Sequence, residues 1–211
     1  MPNWITNKIQ TTERVVRAML NDAGVVDFTL AAPFPGPNDK WDLISGDAET
    51  AAEAVLNIPL DAHPLMASLE RASRARVDIR GMSEDSFRQF VGMLENYRAC
   101  GYLHSMAFAR AVWGTKWNAC RPIAEPADGR CQFETAWSCP MGVFVKISER
   151  FPDDAITVVY ADEDIGSNCG TFTVLGGKIV EQDIAPPWRD MDESTKAKWC
   201  AFARGVIGQE E

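Results

Sequence analysis

Trp113, Lys116, Trp117 and Asn118 fall in one stretch, Trp113-Gly114-Thr115-Lys116-Trp117-Asn118, and Trp137 follows in Phe133-Glu134-Thr135-Ala136-Trp137-Ser138. Indole rings offer flat apolar faces on which a base or a cationic ligand can stack, and an ammonium beside a carboxamide can hold a phosphate or carboxylate. Read as extended chain, Trp113, Thr115 and Trp117 share one face, while Lys116 and Asn118 share the other with Gly114. The competing reading is that tryptophans at strand spacing simply hide their large apolar area in a core, with Lys116 and Asn118 on a solvated outer face.

A second group of chemistry-bearing side chains is Asp162-Glu163-Asp164 with Asn168. Its oxygens suit a hard cation, but the spacing misses the EF-hand pattern, and a polar strand-to-strand loop able to meet a basic partner accounts for it equally. Arg71, Arg74, Arg76 and Arg80 form a local basic cluster that reads as the solvated face of a helix before it reads as a phosphate site. His104-Ser105 lies near Cys100 without a nucleophile elbow or a Cys-His signature, which points to a structural histidine. The Walker A, dinucleotide and metalloprotease fingerprints are absent. No two of the six cysteines form a Cys-x-x-Cys pair, and His63 and His104 are the only imidazoles, so the expectation is reduced, metal-free thiols and no cofactor. No catalytic constellation emerges, and the residues read as those of a protein that is not an enzyme.

These groups sit in a 211-residue chain that is 46% hydrophobic, enough for a core without staples. No apolar run approaches the length of a spanning helix, and the start Met1-Pro2-Asn3-Trp4 lacks the regions of a signal peptide, so a cytoplasmic location without a membrane is expected. The net charge of −9 is uneven. Residues 122–211 hold 16 acidic against 8 basic side chains, while residues 1–121 hold 14 against 13. Such a balance opposes non-specific attachment to nucleic acid and would attract a partner with a basic surface.

The elements that must position these residues can be read in order. Trp4 to Gln10 alternates as a strand, Thr11 or Thr12 caps a helix with Val15, Val16, Met19 and Leu20 at helical spacing, and Val25 to Leu30 reads as a second strand before Pro33-Phe34-Pro35-Gly36-Pro37. Residues 38–110 carry no convincing strand and read as a helical insertion. Its clearest helix follows Ser83 and places Phe87, Phe90, Val91, Leu94 and Tyr97 on one face. After the two tryptophan strands come a helix beginning near Pro140, a strand at Ile156–Ala161, a hairpin through Gly176-Gly177 and a last helix capped by Asp192. The order is that of an α+β, ferredoxin-like split βαβ sheet. The domain spans residues 1–37 and 111–191, with the insertion between its second and third strands and a C-terminal helix over 192–211. The two tryptophan strands are expected in one antiparallel sheet, with the helices around Arg14 and Gly142 on a single face.

Four pieces together, Met1-Pro2-Asn3-Trp4 with Asn7, Val26-Asp27-Phe28 through Pro33-Phe34-Pro35, Trp113 to Asn118, and Thr135-Ala136-Trp137-Ser138 with Pro140, resemble the YubB-like ferredoxin-like-domain family of phage, prophage and plasmid proteins. Ile5 and Cys139 depart from that pattern, where the family usually carries cysteine and a second proline. The resemblance implies a ferredoxin-like fold and a mobile-element origin and supplies no established activity. Together with the acidic C-terminal half, it suggests an accessory protein that binds a host protein or complex with a basic surface, countering a defence system of the CRISPR or restriction type. The alternative is a module that sequesters a nucleotide-like ligand through the tryptophan and lysine stretch.

Overall fold

The computed structural model describes residues 2–208. In chain order the elements are β1 (Trp4–Gln10), α1 (Glu13–Ala18), α2 (Gly46–Val55), α3 (Pro64–Arg74), α4 (Glu84–Cys100), the single turn α5 (Ser105–Phe108), β2 (Cys120–Glu125), β3 (Arg130–Ala136), α6 (Met141–Arg150), β4 (Ile156–Asp162), β5 (Gly170–Leu175), β6 (Lys178–Ile184) and α7 (Glu193–Ile207). They divide into two compact units. One contains the chain up to Pro33 and again from Ala109, and the other is Phe34–Phe108.

The first unit is built on an antiparallel six-stranded sheet in the order β2-β3-β1-β4-β5-β6. Its first four strands, with α1 and α6, are the split βαβ of a ferredoxin-like domain, and the class is α+β as expected. Alternation along β1 buries Ile5, Asn7 and Ile9. The register sets Phe133 opposite Asn7, and Val158 opposite Ile9, on that same face. Phe144 of α6 covers this face, stacked on Phe133 at 6.3 Å and edge-on to Phe172 at 6.0 Å. Arg14 of α1 reaches the C-terminal end of α6, its guanidinium 5.8 Å from the Phe151 ring and 2.5 Å from Asp154. α7 packs on the other face, where Trp199, Ala203 and Val206 meet Ala161.

Two strands expected from the sequence are not strands. Val25–Leu30 makes only an isolated bridge, Val26 to Leu20, and side chains hold the rest. Asn21 Oδ1 accepts the Ala23 and Val25 amides, and Asp27 caps a short 3-10 turn at Phe28–Leu30 by accepting the Thr29 amide. The Trp113 to Asn118 stretch leaves a π-helical turn at Ala109–Trp113, passes Gly114 at φ 84, and satisfies its polar groups through side-chain bonds rather than a ladder. The second strand is Cys120–Glu125, an edge strand containing Pro122 and a bulge where Arg121 takes φ 48. Proline and irregular register are tolerated at an edge, and they disguise the strand in sequence. The insertion therefore lies between α1 and the second strand, one position earlier than expected, and α7 belongs to the sheet-bearing unit.

The Phe34–Phe108 unit holds its own core, with Ala48, Ala51 and Ala52 of α2 against Phe90 and Met93 of α4. α4 begins after Ser83, whose side chain accepts the Ser86 amide. Its inward face differs from the expected one. Phe87 and Val91 are exposed, while Gln89 and Asn96 are buried. The reason is polar: Gln89 brackets the backbone at Leu43 and Ser45, and Asn96 brackets Asn38 and reaches Leu103. These carboxamides satisfy loop amides and carbonyls that burial would otherwise strand.

Close packing at the start of α6 yields a testable contrast. A Cβ added at Gly142 would collide with the Val112 carbonyl oxygen, whereas one at Gly205 in α7 meets nothing within 4 Å. Gly142→Ala is expected to cost about 1–3 kcal/mol despite alanine's better helix propensity. Gly205→Ala should stabilise by about 0.5–1 kcal/mol. Urea unfolding of the two variants beside the parent checks both signs.

Candidate functional site

The structure divides the expected ligand-binding residues into two kinds. Trp113 is core: its ring is buried, edge-on to Phe28 at 5.6 Å, and its Nε1–H donates to the Ala32 carbonyl at 2.8 Å. Asn118 is a brace. Its Oδ1 accepts the Phe28 and Ala119 amides at 2.9 Å each, and its Nδ2 donates to Asp27 at 2.8 Å. Neither side chain is free to hold a ligand in this arrangement. Lys116, Trp117 and Trp137 are presented outward instead.

Trp137 stands just past the end of β3, 52% exposed and at φ 70. A bulky aromatic residue in the left-handed region is unusual and survives only where its surroundings fix it. Here its amide donates to Asn3 O at 2.9 Å, its carbonyl accepts Asn168 Nδ2 at 3.1 Å, and the next residue's hydroxyl donates to Gly114 O. The backbone is clamped from both sides, and the indole is turned to solvent. Beside it, Arg110, Lys116 and Ser138 line a shallow depression of about 330 Å³. Trp117 is 38% exposed, packs on Trp4 at 6.4 Å and carries Lys116 Nζ 4.6 Å above its ring. Arg121 lies 5.3 Å from the Trp4 ring and 2.6 Å from Glu134.

The acidic loop also splits, and it joins the same end of the sheet. Asp162 is only 5% exposed. Its carboxylate accepts Asn3 Nδ2 and the Asp164 amide on one oxygen and Asn168 Nδ2 on the other. Since Asn168 Nδ2 reaches both Asp162 and the Trp137 carbonyl, the two groups picked out separately in the sequence share one network. Asp162, expected in a loop that meets a partner, is thus buried as a structural brace. Glu163 and Asp164 remain exposed. Several carboxylates of residues 122–211 are paired locally, Asp154 with Arg14, Glu149 with Lys146, Asp183 with Lys198 and Glu193 with Lys196, and the stretch keeps its excess of 16 acidic over 8 basic side chains.

Sequence reasoning missed Asn3, Trp4, Arg110 and Arg121, whose part depends on strand register and on a π-turn that no local pattern announces. His104 is buried, with Nε2 3.0 Å from Glu49 and Nδ1 accepting the Ala107 amide, so it closes the start of α5. Cys100 donates to the Asn96 carbonyl. All six cysteines are free thiols, and burial pushes Cys131 up to about 12 and Cys169 up to about 11. No cluster of three or more potential metal ligands occurs among the described residues, and no helix in them is long and apolar enough to cross a membrane.

Residues 112–199 match the family model described as the ferredoxin-like domain in Api92-like protein. That stretch begins at the π-turn, takes in β2 to β6 and ends within α7, so the class given by the comparison agrees with the class given by the sheet. Among solved structures, the chain resembles the protein api92 from Yersinia pseudotuberculosis, with 12% identity over 89% of this chain and 100% of that one, at a TM-score of 0.40. No curated protein matches the chain.

Two predictions follow the two braces. Asp162→Ala is expected to cost about 1–3 kcal/mol, because it strands the Asn168 and Asp164 donors, whereas Glu163→Ala and Asp164→Ala should stay within about 0.5 kcal/mol. Denaturant midpoints of the three variants beside the parent check this. Asp27 provides the pH case. Burial raises its pKa, but hydrogen bonds from Thr29 and Asn118 outweigh that, and the net shift is downward. A depressed folded pKa gives stability present above the unfolded value and lost as pH falls through the folded one. Asn118→Ala should therefore cost about 1–2 kcal/mol at neutral pH, and less once Asp27 is protonated; stability measured against pH reads the difference.

Proposed function

We propose that this protein acts by binding rather than by catalysis, and that its recognition surface is the sheet end where Trp137 is exposed beside Lys116, Trp117, Glu163 and Asp164. The observation that carries the reading is Trp137 itself, held outward in a left-handed backbone conformation by bonds at its own amide and carbonyl. Exposed tryptophan among charged side chains is the composition of a protein-binding hot spot, in which one or two aromatic anchors supply most of the affinity.

In this reading the chain is a YubB-like protein of phage or plasmid origin that works in the host cytoplasm. It occupies a basic surface of a host protein or complex and so blunts a defence system of the CRISPR or restriction type. The support is the sequence resemblance, the matched ferredoxin-like domain over 112–199, and the exposed carboxylates of Glu163 and Asp164 beside the tryptophan.

A second reading is favoured by one specific observation: Arg110, Lys116, Trp137 and Ser138 line the same depression. Two cationic side chains, a hydroxyl and an indole suit an anionic, ring-bearing ligand of the nucleotide type. Native mass spectrometry of protein purified from bacterial cells separates the two readings, a retained small-molecule mass supporting the nucleotide and a protein complex supporting the first. Against a captured partner, Trp137→Ala is expected to weaken binding by about 2 kcal/mol or more, and Glu163→Lys with Asp164→Lys to slow association at low salt. Unchanged affinity on Trp137→Ala removes this end of the sheet from the mechanism.

A further inference from the structure

The outer face of the sheet is covered unevenly. α7 packs where Val159 and Ala161 of β4 lie, whereas β2 at the far edge is open, with Ile123 61% exposed and the Arg121 side chain 67%. Alternation puts Trp4, Thr6 and Lys8 of β1 on this face, and the register sets Glu134 beside Thr6 and Gln132 beside Lys8. Trp117 lies against Trp4, ring centres 6.4 Å apart, and each ring carries a cation, Lys116 Nζ at 4.6 Å from Trp117 and the Arg121 guanidinium at 5.3 Å from Trp4. The carboxylate of this strip, Glu134, is neutralised by Arg121 at 2.6 Å. Lys8 makes no ion pair or hydrogen bond among the described residues, and Lys116 Nζ meets only the indole there. Beyond the strip, Arg130 faces Glu125 and Asp128 at 3.9 and 3.5 Å, and the basic character ends.

We propose that this strip binds single-stranded nucleic acid, with bases stacked on the Trp117 and Trp4 pair and phosphates met by Lys116, Arg121 and Lys8. Flat rings beside uncommitted cations match an unpaired strand, in which every base offers a π-face and every phosphate a negative charge. The guanidinium of Arg121, planar and at the surface, can itself lie on a base. From Trp4 to Lys8 the strip runs about 13 Å along β1, room for a few nucleotides. The charge of the strip sets its occupant apart from the one inferred for the Trp137 end: a basic host surface that suits Glu163 and Asp164 is repelled by Lys8 and Lys116, so the proposal goes beyond that reading. A duplex hides its base faces and presents phosphate, and it meets the net charge of −9 without the stacking that offsets the repulsion.

Fluorescence anisotropy of labelled uridine and adenosine oligonucleotides of about ten residues, as RNA and as their DNA counterparts, beside a duplex of equal length, tests the proposal on the full chain. Single strands are expected to bind at least about 10-fold tighter than the duplex, with a logarithmic salt slope of about −2, near −0.7 for each of the phosphates met by Lys8, Lys116 and Arg121. Trp117→Ala should weaken binding by about 10-fold and Trp117→Phe by much less, because the ring carries the stacking. Lys8→Ala, which leaves both tryptophans in place, should weaken it by a few-fold and flatten the salt slope by about 0.7. No binding of any single strand at about 50 mM salt overturns the proposal, as does a duplex bound as tightly as a single strand. So does an affinity unchanged in both Trp117→Ala and Lys8→Ala. Loss of binding in Trp137→Ala alone also overturns it and moves the ligand to the sheet end. A chain that ignores every oligonucleotide but loses a captured protein on Lys8→Glu overturns it in favour of a protein surface.

Discussion

The contact between Phe28 and Phe133, ring centres 5.5 Å apart, is the one on which the layout of the sheet-bearing unit rests. Phe133 lies midway along β3, stacked on Phe144 of α6, and Phe28 lies in the segment that leaves the unit before residue 34. Trp113, on the segment that returns, closes on Phe28 and donates to Ala32, and Asn118 then fastens the Phe28 amide and the Asp27 carboxylate. Departure and return are thus clamped together inside one unit. Chain from 34 to 108 can intervene without disturbing the sheet, because closing a long loop costs little more than closing a short one once its ends are fixed.

This clamp accounts for the fate of the tryptophan stretch. Trp113 and Asn118 are spent on holding the return, which leaves Lys116 and Trp117, between them, at the surface. The same economy operates at the other end of β3. Thr135 accepts Asn7 Nδ2 and donates to the Ser138 carbonyl, turning the chain so that Trp137 projects. Asp162, though acidic and in a loop, is buried because three donors converge on it. A carboxylate satisfied in this way costs far less to bury than an unpaired one. What the braces leave exposed at this end is Trp117 and Trp137.

The two units spend polar side chains in different ways. In the sheet-bearing unit, Asn3, Asn118 and Asp162 fix loops around exposed rings. In the Phe34–Phe108 unit, Gln89, Asn96 and His104 turn inward to satisfy loop backbone, while Phe87 and Val91 stay outside. On α4 apolar surface is displaced outward where Gln89 and Asn96 take the inward positions.

The sequence alone determined the parts governed by local pattern. These are β1 by alternation, α6 and α7 by their apolar spacing and by Pro140 and Asp192, the β5–β6 hairpin by Gly176-Gly177 at φ 57 and 75, and hence the α+β ferredoxin-like class. It also drew attention to Lys116, Trp117 and Trp137. Tertiary structure decided the rest. Edge position let a strand containing Pro122 form where no pattern marked one, so the insertion falls before the second strand and not after it. Side-chain bonds to backbone, some local as Asn21 to Val25 and some distant as Asn118 to Phe28, turned Val25–Leu30 and Trp113–Asn118 away from extended pairing. Whether an individual Trp, Asn or Asp is brace or surface depends on partners as many as 159 positions away, as Asp162 and Asn3 are, and that information is carried by no local spacing.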